Sequence, residues 1–127
     1  MAKVTRNRLL TSHFTTQELA CRCGREACDA VAMQPAFMRK LELLRVLWGK
    51  PLVVTSGARC VLWNAHVGGS PHSQHLEGNA ADLHLEEPGD GPKLAALAEK
   101  VGLGGIGLAR AFIHVDNREE PARWTYP

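Results

Sequence analysis

The stretch SPHSQHLEGNAADLHL, residues 70–85, decides how this chain is read. It opens as a loop and closes as a strand, and it holds His72, His75 and His84, half of the 6 histidines in the chain. His75 and Asp82 stand 7 residues apart, which on a helix would be two turns along one face. Gly78-Asn79 between them argues against a continuous helix. The pattern predicts instead a strand end carrying His75, a tight loop, and a strand carrying Asp82. Such a bend brings the two side chains together across a small sheet. His114, in FIHVD, supplies a third side chain from another strand. Two imidazoles and a carboxylate with one position open for water make a common catalytic zinc set. Spacing alone leaves a metal site and a polar surface loop both open.

Outward from this stretch the chain alternates short elements. Thr15-x-x-Glu18 is a capping-box pattern that opens a short helix. Pro35 starts a longer one, in which Phe37, Leu41, Leu44 and Trp48 recur on one face and Gly49 ends the run. PLVVTSG (51–57) reads as a buried strand and VLWNAHVGG (61–69) as a short helical turn. AADLHL alternates like a strand, PGDGP (88–92) reads as a loop, and the following helix turns Leu94, Leu97 and Val101 inward. GGIGLA and AFIHVD are two further strands. No repeat or linker divides the chain. The expected fold is α+β in a single domain over residues 1–127, with a small, mainly antiparallel sheet flanked by helices.

Composition excludes several classes. At 127 residues and 45% apolar content the chain can build one core without staples. The net charge is +2, and Lys3, Arg6, Arg8, Arg39 and Lys40 are scattered, so no nucleic-acid footprint is expected. A weak attraction to an anionic polymer such as a bacterial wall is compatible with this charge. No signal-peptide core or transmembrane run is read, so synthesis in the cytoplasm is expected. Cys21, Cys23 and Cys28 form C-x-C-x4-C, with Cys60 far along the chain. Reduced thiols fit a cytoplasmic protein, and a structural metal clip or disulfides in an oxidising compartment are the alternatives.

SQHLEGNAAD resembles the S-x-H-x-x-G-x-A-x-D signature of the peptidase family that contains the zinc D-alanyl-D-alanine carboxypeptidases. The matching residues are Ser73, His75, Gly78, Ala80 and Asp82. The segment from Ser56 to Arg59 is similar to the family's S-G-x-R, followed by Asn64 and Gly68-Gly69. Gly105-x-Gly107, then Phe112-x-His114-x-Asp116-x-Arg118 and Trp124, resemble its closing stretch, and HFTTQELAC its opening. The matches run in the family's order over roughly residues 12–126.

The resemblance implies a hedgehog/D-Ala-D-Ala peptidase-like fold with Zn2+ held by His75, Asp82 and His114. It implies hydrolysis of peptide bonds in peptidoglycan stem peptides, as a carboxypeptidase or an endolysin-type endopeptidase. A phage or prophage lysis enzyme, a monomer released to the wall by a holin or by lysis, is the expected setting. Carboxypeptidase members carry an acid three residues before the second histidine; that position here is Ala111. Asp116 is the nearest acid, either the general base or a residue that orients a ligand. Arg59 is expected to bind the oxyanion or a substrate carboxylate, or else to form a structural ion pair. Ser73 is expected to hydrogen-bond substrate or a metal ligand. Asn64 is read as fixing local backbone. Glu77, Glu86, Glu87 and Glu119 are read as surface charges, His13 and His66 as structural or surface, His84 as a neighbour of Asp82, and Trp124 as a core aromatic. The competing class is a non-catalytic, zinc-stabilised wall-binding or signalling-type module.

Overall fold

The computed structural model describes residues 7–127, so Lys3 and Arg6 lie outside it. Strands β1 (Leu9–Thr11) and β2 (Phe14–Thr15) form a small antiparallel ribbon ahead of helix α1 (Thr16–Leu19). The capping box forms as expected: the Thr15 Oγ1 accepts the Glu18 N–H, and the Glu18 carboxylate accepts the Thr15 N–H at 2.9 Å.

Helix α2 (Pro35–Trp48) begins at a proline whose missing N–H is not needed there, and ends at Gly49 with φ 78°. Its stripe of Phe37, Met38, Leu41 and Leu44 is buried, while Trp48 packs against the edge of the same core. Each such side chain contributes about 1.5–3 kcal/mol by leaving water. Strand β3 (Val54–Ser56) follows, then helix α3 (Val61–His66). A 3-10 turn (Gln74–Glu77) leads into β4 (Ala80–His84). His75 therefore sits on that turn and not on a strand end. Ser73 caps the turn, and Gly78, in the left-handed region at φ 67°, closes it.

Helix α4 (Asp90–Lys100) starts inside the stretch expected to be a loop. Pro92 lies in its first turn, where a helix tolerates proline. Leu94 and Ala98 are buried, with Leu97 and Val101 packed at the margin. Strands β5 (Gly105–Leu108), β6 (Phe112–Asp116) and β7 (Ala122–Thr125) complete a five-stranded sheet in the order β3-β4-β6-β5-β7.

The α+β class stands, but the sheet is mixed. Its inner pairings are antiparallel, whereas β7 runs parallel to β5, with Gly105 opposite Ala122. The cause is the connection. Strand β6 ends at Asp116, itself opposite Gly105, and the chain steps over the end of β5 before returning along its outer side. One cluster of buried side chains, from Phe14 to Val115, joins the helices to the sheet. Among the described residues no helix is long and apolar enough to cross a membrane.

Candidate metal centre

Register places the first two candidate ligands. Asp82 on β4 and His114 on β6 are direct partners across an antiparallel pair, so their side chains leave the same face of the sheet. His75 comes from the 3-10 turn. The Ser73 Oγ accepts its N–H at 3.2 Å, its carbonyl accepts the Arg59 N–H at 3.0 Å, and its Nδ1 lies 2.7 Å from the Gly57 carbonyl. The Ser-Gly-Ala-Arg segment and the histidine turn thus hold each other.

The three side chains converge. Asp82 Oδ1 lies 3.2 Å from His75 Nε2 and 3.0 Å from His114 Nδ1. Ligands at about 2.1 Å around a tetrahedral ion stand about 3.4 Å apart, so both of these edges are close to the length zinc requires, and all three ligand atoms lie within 4.8 Å of one another. The donor chemistry fits as well. Donation from His75 Nδ1 to the Gly57 carbonyl leaves Nε2 with a lone pair facing Asp82. Donation from His114 Nε2 to Asp116 Oδ2, at 2.7 Å, leaves Nδ1 free for the same point. Fixing a ligand imidazole through its other nitrogen is the usual second support of a metal histidine.

The carboxylates are built to stay ionised. Burial pushes Asp82 up, but its close contacts with the His114 and His75 imidazoles outweigh it and hold it well below the usual carboxylate range. Asp116 is fully buried, which also pushes it up; His114 and Arg118 bring it far below the ordinary value. Its Oδ1 accepts the Arg118 backbone N–H at 3.1 Å and Nε–H at 2.9 Å, and its Oδ2 accepts from Arg118 Nη2 at 2.7 Å besides His114. Burial lowers His114, yet Asp116 and Asp82 raise it on balance above 6.5.

The Gly105-x-Gly107 pattern has a steric reason. These residues pair with Asp116 and His114 on β6. A Cβ on Gly105 would lie 2.2 Å from Asp116 Oδ1, and one on Gly107 would lie 2.4 Å from the Trp124 indole nitrogen.

The triad opens into a cleft of about 690 Å³. Arg59 lines it, with Nε–H on Ser56 Oγ at 3.0 Å, Nη1 on Asn64 Oδ1 at 3.1 Å and Nη2 on Asp82 Oδ2 at 3.1 Å. The expected ion pair therefore exists, and its partner is the candidate metal carboxylate. Of the five N–H groups of a guanidinium these bonds use three. Asn64 also donates to the Ser70 carbonyl at 2.9 Å, which fits its reading as a backbone brace. Ser73 lines the cleft beside His75, and His72 lines it from an exposed position.

Other expectations fall differently. Asp116 does not line the cleft but lies beneath His114. Ala111 is exposed just before β6, and Glu77, Glu86, Glu87 and Glu119 are exposed and absent from the cleft wall. His84 is exposed and borders a separate groove with Trp48 and Lys50. His66 stacks on Trp63, and His13 pairs with Glu42. Trp124 is not a core aromatic. It is half-buried on the cleft wall, its ring 5.2 Å from that of His114 and under the Arg118 guanidinium at 4.9 Å. Tyr126 and Phe112 line the same wall, their rings 5.0 Å apart. The sequence reading names Trp124 and Phe112 but not the wall they form with Tyr126, because it draws no strand over residues 122–125. With that strand drawn, the alternation of Trp124 and Tyr126 onto one face would have shown the wall.

Comparison with known proteins agrees with this geometry. The family described as Peptidase M15 matches residues 12–116. The zinc D-Ala-D-Ala carboxypeptidase of Streptomyces albus G is 39% identical over 79 residues, 56% of this chain. The match covers 31% of that protein, so this chain spans about a third of the curated relative's length. The match through residue 116 takes in all three candidate ligands and Asp116, and the chain belongs to the Peptidase M15 family.

Proposed function

We propose that the chain is a zinc-dependent peptidase that hydrolyses an amide bond in peptidoglycan stem peptides. The carrying observation is the convergence of His75 Nε2, Asp82 Oδ1 and His114 Nδ1 at the floor of an open cleft. His75, Asp82 and His114 would hold the ion, which when bound polarises a carbonyl and acidifies water. The remaining roles belong to the chain. Arg59 steadies Asp82 through one carboxylate oxygen and turns its unused N–H groups toward a substrate carboxylate or a developing oxyanion. Ser73 fixes the His75 turn. Asp116, with its oxygens taken up by Arg118 and His114, sets the His114 tautomer, an orienting role favoured over that of base. Trp124, Phe112 and Tyr126 offer an apolar wall to the peptide. Because all these residues come from one chain, a monomer suffices.

A second reading has its own observation. Among the described residues Asp82 is the sole acid lining the cleft, and Ala111 offers no carboxyl. That favours a zinc-stabilised module that binds wall peptides without cutting them. Incubating zinc-loaded protein with purified peptidoglycan, followed by mass analysis of released fragments, decides between them. Cleavage that disappears on chelation and in His75→Ala supports the peptidase and identifies the bond. Binding without any fragment supports the module.

A further inference from the structure

From Ala20 to Gln34 the chain has neither helix nor strand, yet it is hydrogen-bonded to Cys60, beside Arg59, and to the end of the His75 turn. Unsupported segments of this length are uncommon in a compact domain and usually have a reason. Here the reason is a second group of side chains. Cys21, Cys23 and Cys28 from this segment meet Cys60, the residue after Arg59, with all four sulfurs within 4.8 Å of one another. Cys28 and Cys60 are buried, and all four are free thiols.

The geometry points to a second metal site, a structural Zn2+ held tetrahedrally by the thiolates of Cys21, Cys23, Cys28 and Cys60. Zinc–sulfur bonds of about 2.3 Å separate the sulfurs of a tetrahedral site by about 3.8 Å. All four sulfurs already lie within 4.8 Å of one another, at most about 1 Å beyond that spacing.

Donors already point at the sulfurs, as thiolates require. The Cys60 N–H faces Cys21 Sγ at 3.3 Å, the Arg25 N–H faces Cys23 Sγ at 3.4 Å, and the Trp63 N–H faces Cys60 Sγ at 3.4 Å. The Arg25 guanidinium reaches Cys60 Sγ at 3.5 Å and offsets part of the negative charge that four thiolates leave around a dication. Gly24, at φ 73°, makes the tight turn that brings the Arg25 N–H back onto Cys23. The spacing C-x-C-x4-C does not announce a zinc ribbon; the fourth ligand arrives from across the fold, which spacing cannot show.

The site has a structural task beside the candidate catalytic centre. Cys60 caps α3 and adjoins Arg59, so a metal there ties the irregular segment to the loop that presents the arginine. At the segment's far end the Gln34 N–H donates to the Gly78 carbonyl at 2.8 Å and its side chain to the Glu77 carbonyl at 3.1 Å. A Cβ on Gly78 would lie 2.2 Å from the Ala32 carbonyl oxygen. One cross-link thus braces both the Arg59 loop and the His75 turn.

The test uses the full chain with the candidate catalytic ligands removed, His75→Ala/His114→Ala, purified under reducing conditions and loaded with cobalt(II). The expected result is one cobalt per chain, with the sulfur-to-metal charge-transfer and strong visible bands of a tetrahedral thiolate site, displaced by zinc. Cys28→His in that background should keep the metal with a shifted spectrum, and Cys28→Ser should lose tight binding. Chelation should open residues 21–34 to protease. Absence of thiolate bands in the double variant, or a native mass showing two disulfides, overturns the proposal. Because the readout is spectroscopic, peptidase activity or its lack has no bearing on the outcome.

Discussion

Asp116→Asn separates the two roles open to the acid beneath His114. In the native structure the carboxylate receives four donors: the backbone N–H and Nε of Arg118 on Oδ1, and Nη2 of Arg118 with His114 Nε2 on Oδ2. Asparagine keeps the shape but offers a single oxygen. If that oxygen stays with the Arg118 backbone N–H and Nε–H, the amide NH2 faces His114 Nε2, and also Arg118 Nη2, which can swing away. Two donors in a fully buried place cost about 1–3 kcal/mol unless one is withdrawn. The imidazole can withdraw by moving its proton to Nδ1, the nitrogen that faces Asp82 and the candidate ion. The tautomer that relieves the clash is therefore the one that cannot bind metal. The expected loss is in zinc affinity, about 10- to 100-fold, or about 1.4–2.8 kcal/mol. Turnover measured across a zinc titration should recover in excess metal. The reasoning is refuted if affinity is unchanged while the saturated turnover number falls by ~100-fold or more, the signature of a lost general base.

Arg59→Ala should lower turnover by about 100-fold with zinc retained at saturation, and Lys should rescue only in part because it lacks the forked donors; an unchanged rate with a lowered melting temperature would leave Arg59 a purely structural partner of Asp82. Gly105→Ala should destabilise the fold by about 1–3 kcal/mol and weaken zinc binding, since the new methyl overlaps the Asp116 carboxylate; denaturant titration beside zinc titration measures both, and a neutral result would refute the close approach. Zinc affinity should fall as pH drops through the raised His114 value, above 6.5, because a proton then competes for the ligand nitrogen; isothermal titration at several pH values on the native chain and on His114→Ala would show the same pH dependence in both if His114 were no ligand. In metal-free protein the sign reverses. The stabilisation from protonated His114 is fully present below about 6.5 and is lost as pH rises through the raised value, which chemical unfolding after chelation can follow.

How much of this was legible in sequence depends on the range of the interaction concerned. The capping box at Thr15, the stripe of α2 and its stop at Gly49 are local signals, because propensity, periodicity and caps act within a few residues. The ordered motifs likewise named His75, Asp82 and His114, since their residue types and resemblance lie in the chain itself. What the sequence by itself determined was thus most of the helices and inner strands, the α+β class and the three candidate ligands. The tertiary structure alone decided the rest. The parallel seating of β7 follows from a chain crossing the end of β5, a matter of where Asp116 and Ala122 come to lie. It moved Trp124 from an assumed core to the cleft wall. The placing of Asp116 beneath His114 depended on Gly105 from a neighbouring strand. The meeting of Cys60 with three cysteines far earlier in the chain belongs to the same class. Contacts across sheets and between distant loops arise from packing, and no spacing along one segment encodes them.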